Sequence, residues 1–308
     1  MQQIVDSSAL SRAVLGLEAT NDFVVKFANV NGSGSASANG MFAKSILRMG
    51  VPIAARNIFP SNIQGLPTWF EVRVSEAGHL GRRGGVDLMV AMNPQTWTKD
   101  VASIEPGGYL FHDSTKPLPH GGIRDDIVLL GVPLTALCNA AYSDPRQRQL
   151  FKNIIYVGAL AELLGIDPAV NEALVAEQFK GKDRLIRPNL EALAMGRDHV
   201  ADVMGDVRLK VRRADAVGDR IYVEGNSAAA LGAVYGGASV CAWYPITPST
   251  SLPRPSWVTA KTSAPTPTAD PARPSSRRRT RSPRSASSLE PDGTAPAPSP
   301  APRGPGSR

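Results

Sequence analysis

Apolar positions fall in short extended runs as far as Leu130 and take helical spacing soon afterwards. Phe23 to Val30 is rich in β-branched and aromatic residues and predicts a strand. Asn31 to Ser37 follows as a Gly/Ser loop. Ala38 to Met49 predicts a helix, with Met41, Ile46 and Leu47 apolar and Gly50 as its stop. Val51-Pro-Ile-Ala opens a second strand. Thr68 to Ser75 alternates and predicts a half-buried strand. Val86–Met92, Gly108–His112 and Ile127–Leu130 read as short apolar strands, with a helix over Thr96–Ile104 between two of them. This strand–helix–strand alternation predicts an α/β fold around a Rossmann-like parallel sheet.

From about Arg146 the period lengthens. Leu150, Phe151, Ile154, Ile155, Val157, Leu160 and Leu163 have the i, i+3, i+4 spacing of a buried helix face over Gln149–Leu164. Asp167-Pro168 introduces a second helix over Val170–Phe179, and Asn189–Met204 predicts a third, with Gly205 past its end. Asp206 to Arg220 reads as a connector and Ile221–Glu224 as a short strand or lead-in. Ser227–Gly236 predicts a small-residue helix and Ser239–Tyr244 a strand that Pro245 ends. From Pro253 to Arg308 large apolar residues almost vanish. This tail holds 13 of the 26 prolines and is expected to be disordered.

Charge sharpens the division. The net charge is +7, yet residues 253–308 hold ten Lys/Arg against three Asp/Glu, which is +7 by itself. Residues 1–252 are neutral, so the body lacks the electrostatic footprint of a nucleic-acid binder. The two cysteines, Cys138 and Cys241, form no CxxC pair, which disfavours a zinc site or iron–sulfur cluster in this chain. No run is apolar and long enough for a membrane span. Residues 1–20 make a poor signal peptide and read as a leader, and a cytoplasmic setting is expected.

The loop Gly32-Ser33-Gly34-Ser35 between strand and helix places backbone N–H groups at a helix N-terminus, a geometry suited to phosphate. A nicotinamide dinucleotide is disfavoured, because Ser37 stands where a third glycine is needed and Val51–Ile63 contains no acid. Anion binding and a plain tight turn both stay open. Gly81-Arg82-Arg83-Gly84-Gly85 is a basic turn that could meet a phosphate or a partner subunit, with a solvated turn favoured. His79, His112, His120 and His199 are scattered and read as structural or surface residues. The Ser276–Arg284 stretch looks like an RNA-binding Arg/Ser segment, but no aromatic residues are interleaved for base stacking.

Two parts of the chain resemble the 2-oxoacid:ferredoxin oxidoreductases, specifically the alpha subunit of the 2-oxoglutarate type with a fused N-terminal gamma domain. The first part runs from Asn21 through the Gly/Ser loop, Pro60–Ser75 and Gly85–Asn93 into the helices. The second is Gly225-Asn-Ser-Ala-Ala-Ala-Leu-Gly-Ala and Trp243-Tyr-Pro-Ile-Thr-Pro-Ser-Thr250. The resemblance implies a leader over 1–20, a gamma domain over 21–205 and the start of a second α/β domain over 206–252. That second domain would hold the pyrimidine end of thiamine diphosphate. It implies oxidative decarboxylation of a 2-oxoacid, 2-oxoglutarate first, with coenzyme A as acyl acceptor and ferredoxin as electron acceptor. Iron–sulfur cluster and magnesium are expected on a separate beta subunit, the main partner. Thr247 would lie near the reactive carbon and the substrate carboxylate, with Tyr244 and Pro245 beside the cofactor. Gly32, Gly34 and Ser35 are the cofactor-binding candidates of the gamma part.

The resemblance stops near Leu252. The family continues to a Gln-Ala-Glu-Asp-Glu segment whose glutamate activates the thiamine, and this reading frame has none. Codons for Ser275–Pro296 can be chosen so that the neighbouring frame reads Val-Val-Gln-Ala-Glu-Asp-Glu-Ile-Ala. A one-base deletion near Leu252 is therefore expected, with an out-of-frame tail and a chain inactive by itself. An assembly module built on the gamma part, or nucleic-acid binding through the basic tail, are the alternatives.

Overall fold

β2 (Asp22–Val30) has buried residues on both of its faces, which requires packed layers on either side of its sheet. The computed structural model describes residues 16–30, 32–58, 67–118, 123–203, 207–238, 241–242 and 252. In chain order its elements are β1 (Ala19–Thr20), β2, α1 (Ser35–Arg48), β3 (Ile53–Ile58), β4 (Pro67–Ser75) and β5 (Val86–Ala91). Then come α2 (Trp97–Ala102), β6 (Ile104–Asp113), β7 (Val128–Val132), α3 (Leu134–Ala141), α4 (Pro145–Leu163) and α5 (Pro168–Gln178). The last are α6 (Asp183–Val203), β8 (Leu209–Lys210) and α7 (Gly225–Tyr235). The chain divides into two compact units at Ile221/Tyr222.

The first unit carries a six-stranded sheet in the order β3-β4-β2-β5-β6-β7. The pairs β2–β5, β5–β6 and β6–β7 are parallel, as the alternation predicts. The pairs β2–β4 and β3–β4 are antiparallel, so the expected parallel sheet is parallel-dominated with an antiparallel flank. The reason is local: no helix separates β3 from β4, and without a crossover the chain must return antiparallel.

One sheet face packs Phe23, Val25 and Phe27 of β2 against Phe42 and Ile46 of α1 and Ile155 and Tyr156 of α4. Tyr156 donates to Asn39 Oδ1 at 2.6 Å inside this layer. α4 and α6 approach closely at two glycines. A Cβ on Gly158 would strike the Leu193 carbonyl, and one on Gly196 would strike that of Ile155. The opposite face is covered more thinly, by Trp97 and Val101 around α2.

β4 departs from the half-buried reading: Trp69 to Ser75 are all buried. Its alternate polar residues are buried with partners. Arg82 donates to Glu71 at 3.2 and 3.3 Å, and Arg73 pairs with Asp22. Trp69 Nε1 donates to Asp100 Oδ1 at 2.7 Å, while burial holds Asp100 above the usual carboxylate range.

Helix ends follow their caps. Asp144 and Asp167 accept backbone N–H bonds ahead of Pro145 and Pro168. α6 starts at Asp183, before the expected Asn189, and carries Pro188 inside it. Residues 207–216 join the first unit beyond the expected connector. β8 pairs in parallel with β1, Val211 N donates to the Leu164 carbonyl and Ala214 N to that of Met49. Leu17 N donates to the Gly107 carbonyl, so residues 17–20 of the expected leader also belong to this layer.

In the second unit α7 follows Glu224 as N-cap and buries Ala230. Tyr222 to Glu224 is exposed and forms no strand. Of the expected strand over 239–244 only Cys241 and Ala242 are described, both exposed and in no strand; the rest of it and the tail from 253 lie outside the described residues. Among the described residues no helix is long and apolar enough to cross a membrane.

Candidate functional site

The parallel strands β2, β5, β6 and β7 end along one edge of the sheet, and their following loops meet there. After β2 the chain turns to α1 on one face, and after β5 it turns to α2 on the other. This divergence is a topological switch point, where a crevice opens outside the strand ends in α/β sheets. The two loops are tied at their base. Met92 N donates to the Ala28 carbonyl at 2.9 Å, and Asn93 Nδ2 to that of Asn29 at 3.5 Å.

The β2–α1 loop is where the sequence places it. Gly32 and Gly34 both have φ of 78°, the left-handed region that a side chain resists. Ser33 N donates to the Val30 carbonyl at 3.2 Å. Gly34 is the N-cap of α1 and Ser35 its buried first residue, three residues ahead of the expected start at Ala38. No side chain caps this terminus and no acid lies in the first turn. The opening N–H groups and the positive end of the helix dipole are therefore left to solvent or an anion. Asn153 of α4 clamps the loop, donating to the Ser33 carbonyl at 2.9 Å.

Beside it, at the ends of β5 and β6, lies a cleft of about 220 Å³ lined by Met92, Trp97, His112, Asp113, Lys116 and Lys152 among others. Asp113 Oδ1 accepts from the backbone N of Thr115 and of Thr135, both at 3.2 Å, and Oδ2 from the Thr135 hydroxyl. Burial alone would raise its pKa, but these bonds together outweigh burial and hold it below the usual carboxylate value. Lys152 Nζ stands 3.7 Å from Asp113 Oδ2. His112 and Trp97 meet edge to face at 6.1 Å. His112 is buried, which lowers its pKa against the opposing influence of Asp113.

The sequence reading did not find this cleft. Its side chains are far apart in the chain, and only the His112-Asp113 pair at a strand end marked it. The basic turn at 81–85 is turned inward electrostatically: Arg82 bonds Glu71, and Arg83 bonds the buried Asp87. Tyr244, Pro245 and Thr247 lie outside the described residues. Among the described residues no three His, Cys, Asp or Glu side chains converge as a metal site.

Residues 24–199, more than half of the chain, match the family described as Pyruvate ferredoxin/flavodoxin oxidoreductase. The chain is 23% identical over 257 residues to the 2-oxoacid:ferredoxin oxidoreductase 2 subunit alpha of Aeropyrum pernix, covering 71% of this chain and 40% of that protein. It is 24% identical over 260 residues to the 2-oxoglutarate oxidoreductase subunit KorA of Mycobacterium tuberculosis, covering 74% and 40%. Among solved structures it superposes on the 2-oxoglutarate:ferredoxin oxidoreductase of Magnetococcus marinus, solved with 2-oxoglutarate, coenzyme A and succinyl-CoA bound. That match has a TM-score of 0.63 at 23% identity and covers 79% of this chain and 42% of the other. At that identity the match is one of fold. The chain spans about two fifths of the length of the curated relatives.

Proposed function

Because the chain belongs to the pyruvate ferredoxin/flavodoxin oxidoreductase family, we propose that it forms part of the alpha subunit of a 2-oxoacid:ferredoxin oxidoreductase. The reaction is oxidative decarboxylation of a 2-oxoacid, 2-oxoglutarate first, to the acyl-CoA with reduction of ferredoxin. The observation that carries this reading is a family match over 24–199 in the same chain as the Tyr244-Pro-Ile-Thr-Pro-Ser249 motif. In this reading residues 21–205 supply the gamma domain, residues 207–216 pack onto it, and the thiamine domain opens within the remainder of 206–252, beyond Ile221. The setting is cytoplasmic, and a beta subunit carries the iron–sulfur cluster and magnesium.

Thiamine diphosphate supplies the electron sink for loss of carbon dioxide. This chain's residues bind and orient. The uncapped N-terminus of α1, with Gly32, Gly34 and Ser35, fits a phosphate group, as coenzyme A carries: its first N–H groups have no side-chain cap, and the space beside Gly32 is open. The Thr247 hydroxyl donates a hydrogen bond to the substrate carboxylate, with Tyr244 and Pro245 shaping the cofactor's edge.

The reading assigns the chemistry to the assembly, since the beta subunit holds the redox centre. Purified alone, the chain is expected to give no 2-oxoglutarate- and coenzyme A-dependent viologen reduction. Co-expression with a beta subunit tests docking by co-purification. Activity of the chain alone overturns the division of labour, and failure to co-purify with any beta subunit of its own genome overturns the assembly reading.

A further inference from the structure

The cleft at the ends of β5 and β6 holds a buried indole donor without a partner beside two lysines, and its one carboxylate is already engaged. Trp97 and His112 are each more than nine-tenths buried, at 6% and 7% exposed, and both line it. Among the described residues, Trp97 Nε1 and His112 Nδ1 have no hydrogen-bond partner. A buried indole N–H without an acceptor costs free energy and is uncommon in folded proteins. Indole is a donor only, so what completes it is an acceptor.

The carboxylate in the cleft does not serve. Asp113 already accepts three hydrogen bonds from Thr115 and Thr135, and its contact with Lys152 at 3.7 Å is long for a hydrogen bond. Lys152 is about one-third exposed and keeps donors for another group. Lys116 adds a second cation at the rim. With Asp113 as the opposing carboxylate, the three charges sum to +1. Apolar walls, Met92 and Leu118 among them, complete the cleft.

The geometry points to a binding site here for a small organic anion: an acceptor-only head, carboxylate or phosphate ester, on an apolar body. The head takes the Trp97 N–H and the Lys152 ammonium, and the body lies on the apolar wall. α4 links this site to the neighbouring loop, because Lys152 faces the cleft while Asn153 holds Ser33. The inference stands on the cleft alone and needs neither the redox reaction nor a beta subunit.

Nuclear magnetic resonance of the full chain tests it directly, since each indole N–H gives its own signal and Trp97→Phe assigns the one concerned. The probes are 4-methylpentanoate, isopentyl phosphate and the neutral 4-methylpentanol. At millimolar concentrations at least one anion is expected to shift the Trp97 indole signal saturably, and the tighter anion identifies the head. The alcohol is expected to leave it in place. Lys152→Gln is expected to weaken the anion about tenfold; its remaining amide signals report whether it folds. In the unmodified chain, added sodium chloride is expected to weaken the anions in the same direction, which serves if that variant does not fold. No saturable shift with either anion overturns the proposal. So does a shift that the alcohol matches, or binding indifferent both to Lys152→Gln and to salt.

Discussion

Asn153 on α4 donates to the carbonyl of Ser33, 2.9 Å away and 120 residues earlier in the chain. The same amide nitrogen reaches the Gln149 carbonyl at 3.3 Å. Asn153 is buried, so its removal leaves the loop carbonyl without this donor in a place that water reaches poorly. Asn153→Ala is expected to cost about 1–2 kcal/mol. Urea unfolding checks this through a lowered midpoint at unchanged slope. An unchanged midpoint would show that α4 does not hold the loop.

Gly32 and Gly34 share a φ of 78° but differ in surroundings. A Cβ on Gly34 would lie 2.8 Å from Leu150 Cδ2, whereas one on Gly32 meets nothing within 4 Å. Gly32→Ala therefore reports backbone strain alone, about 1 kcal/mol. Gly34→Ala adds overpacking and is expected to cost about 1 kcal/mol more. Leu150→Ala should recover that extra part in a double-mutant cycle on unfolding free energies, because Leu150 is half exposed and its loss is mild. Equal costs for the two glycines would refute the close approach.

These contrasts show what local pattern conveys. β2 and the loop behind it were legible, since a β-branched run followed by Gly-Ser-Gly has few other uses. β4 was misjudged because Glu71 and Arg73 look like a solvent face, and partners from other segments, Arg82 and Arg56 for Glu71 and Asp22 and the Phe23 carbonyl for Arg73, make their burial tolerable. The start of α6 was hidden by Pro188, whose missing N–H costs one bond that packing of α6 on α4 outweighs. α3 is eight uncharged residues, little more than two turns, and is too short to announce itself. The cleft could not be read, because parallel strands and α4 bring Trp97, His112 and Lys152 together from separate segments.

Asp113 makes stability depend on pH in a defined direction. Its pKa in the folded chain lies below the ordinary 3.8, so it contributes stability above that value that is lost as pH falls through the folded value. Thr135→Val keeps the shape and removes the hydroxyl bond to Oδ2. The variant is expected to be about 2 kcal/mol less stable at neutral pH, as for a bond to a charged group. The gap should narrow below about pH 4 as Asp113 protonates in both proteins. Urea titrations from neutral pH to about pH 3 decide it; a gap that stays constant would mean that the hydroxyl does not bond the carboxylate.

The two cysteines should differ sharply in reactivity. Cys138 on α3 is buried, and burial pushes its thiol up to about 11, against the opposing pull of Lys152. Alkylation needs both access and thiolate, and at mildly alkaline pH Cys138 has neither. Cys241 is exposed. Iodoacetamide on the native chain is expected to modify Cys241 alone, and both residues in urea, as peptide mass spectrometry reads directly. Because Cys138 packs in the core shared by α3, α4 and the sheet, its labelling rate also reports opening of that layer. The logarithm of the Cys138 rate should rise with Asn153→Ala in proportion to the lost stability if that opening is global. Labelling of Cys138 in the native chain as fast as Cys241 would place α3 outside the packed layer.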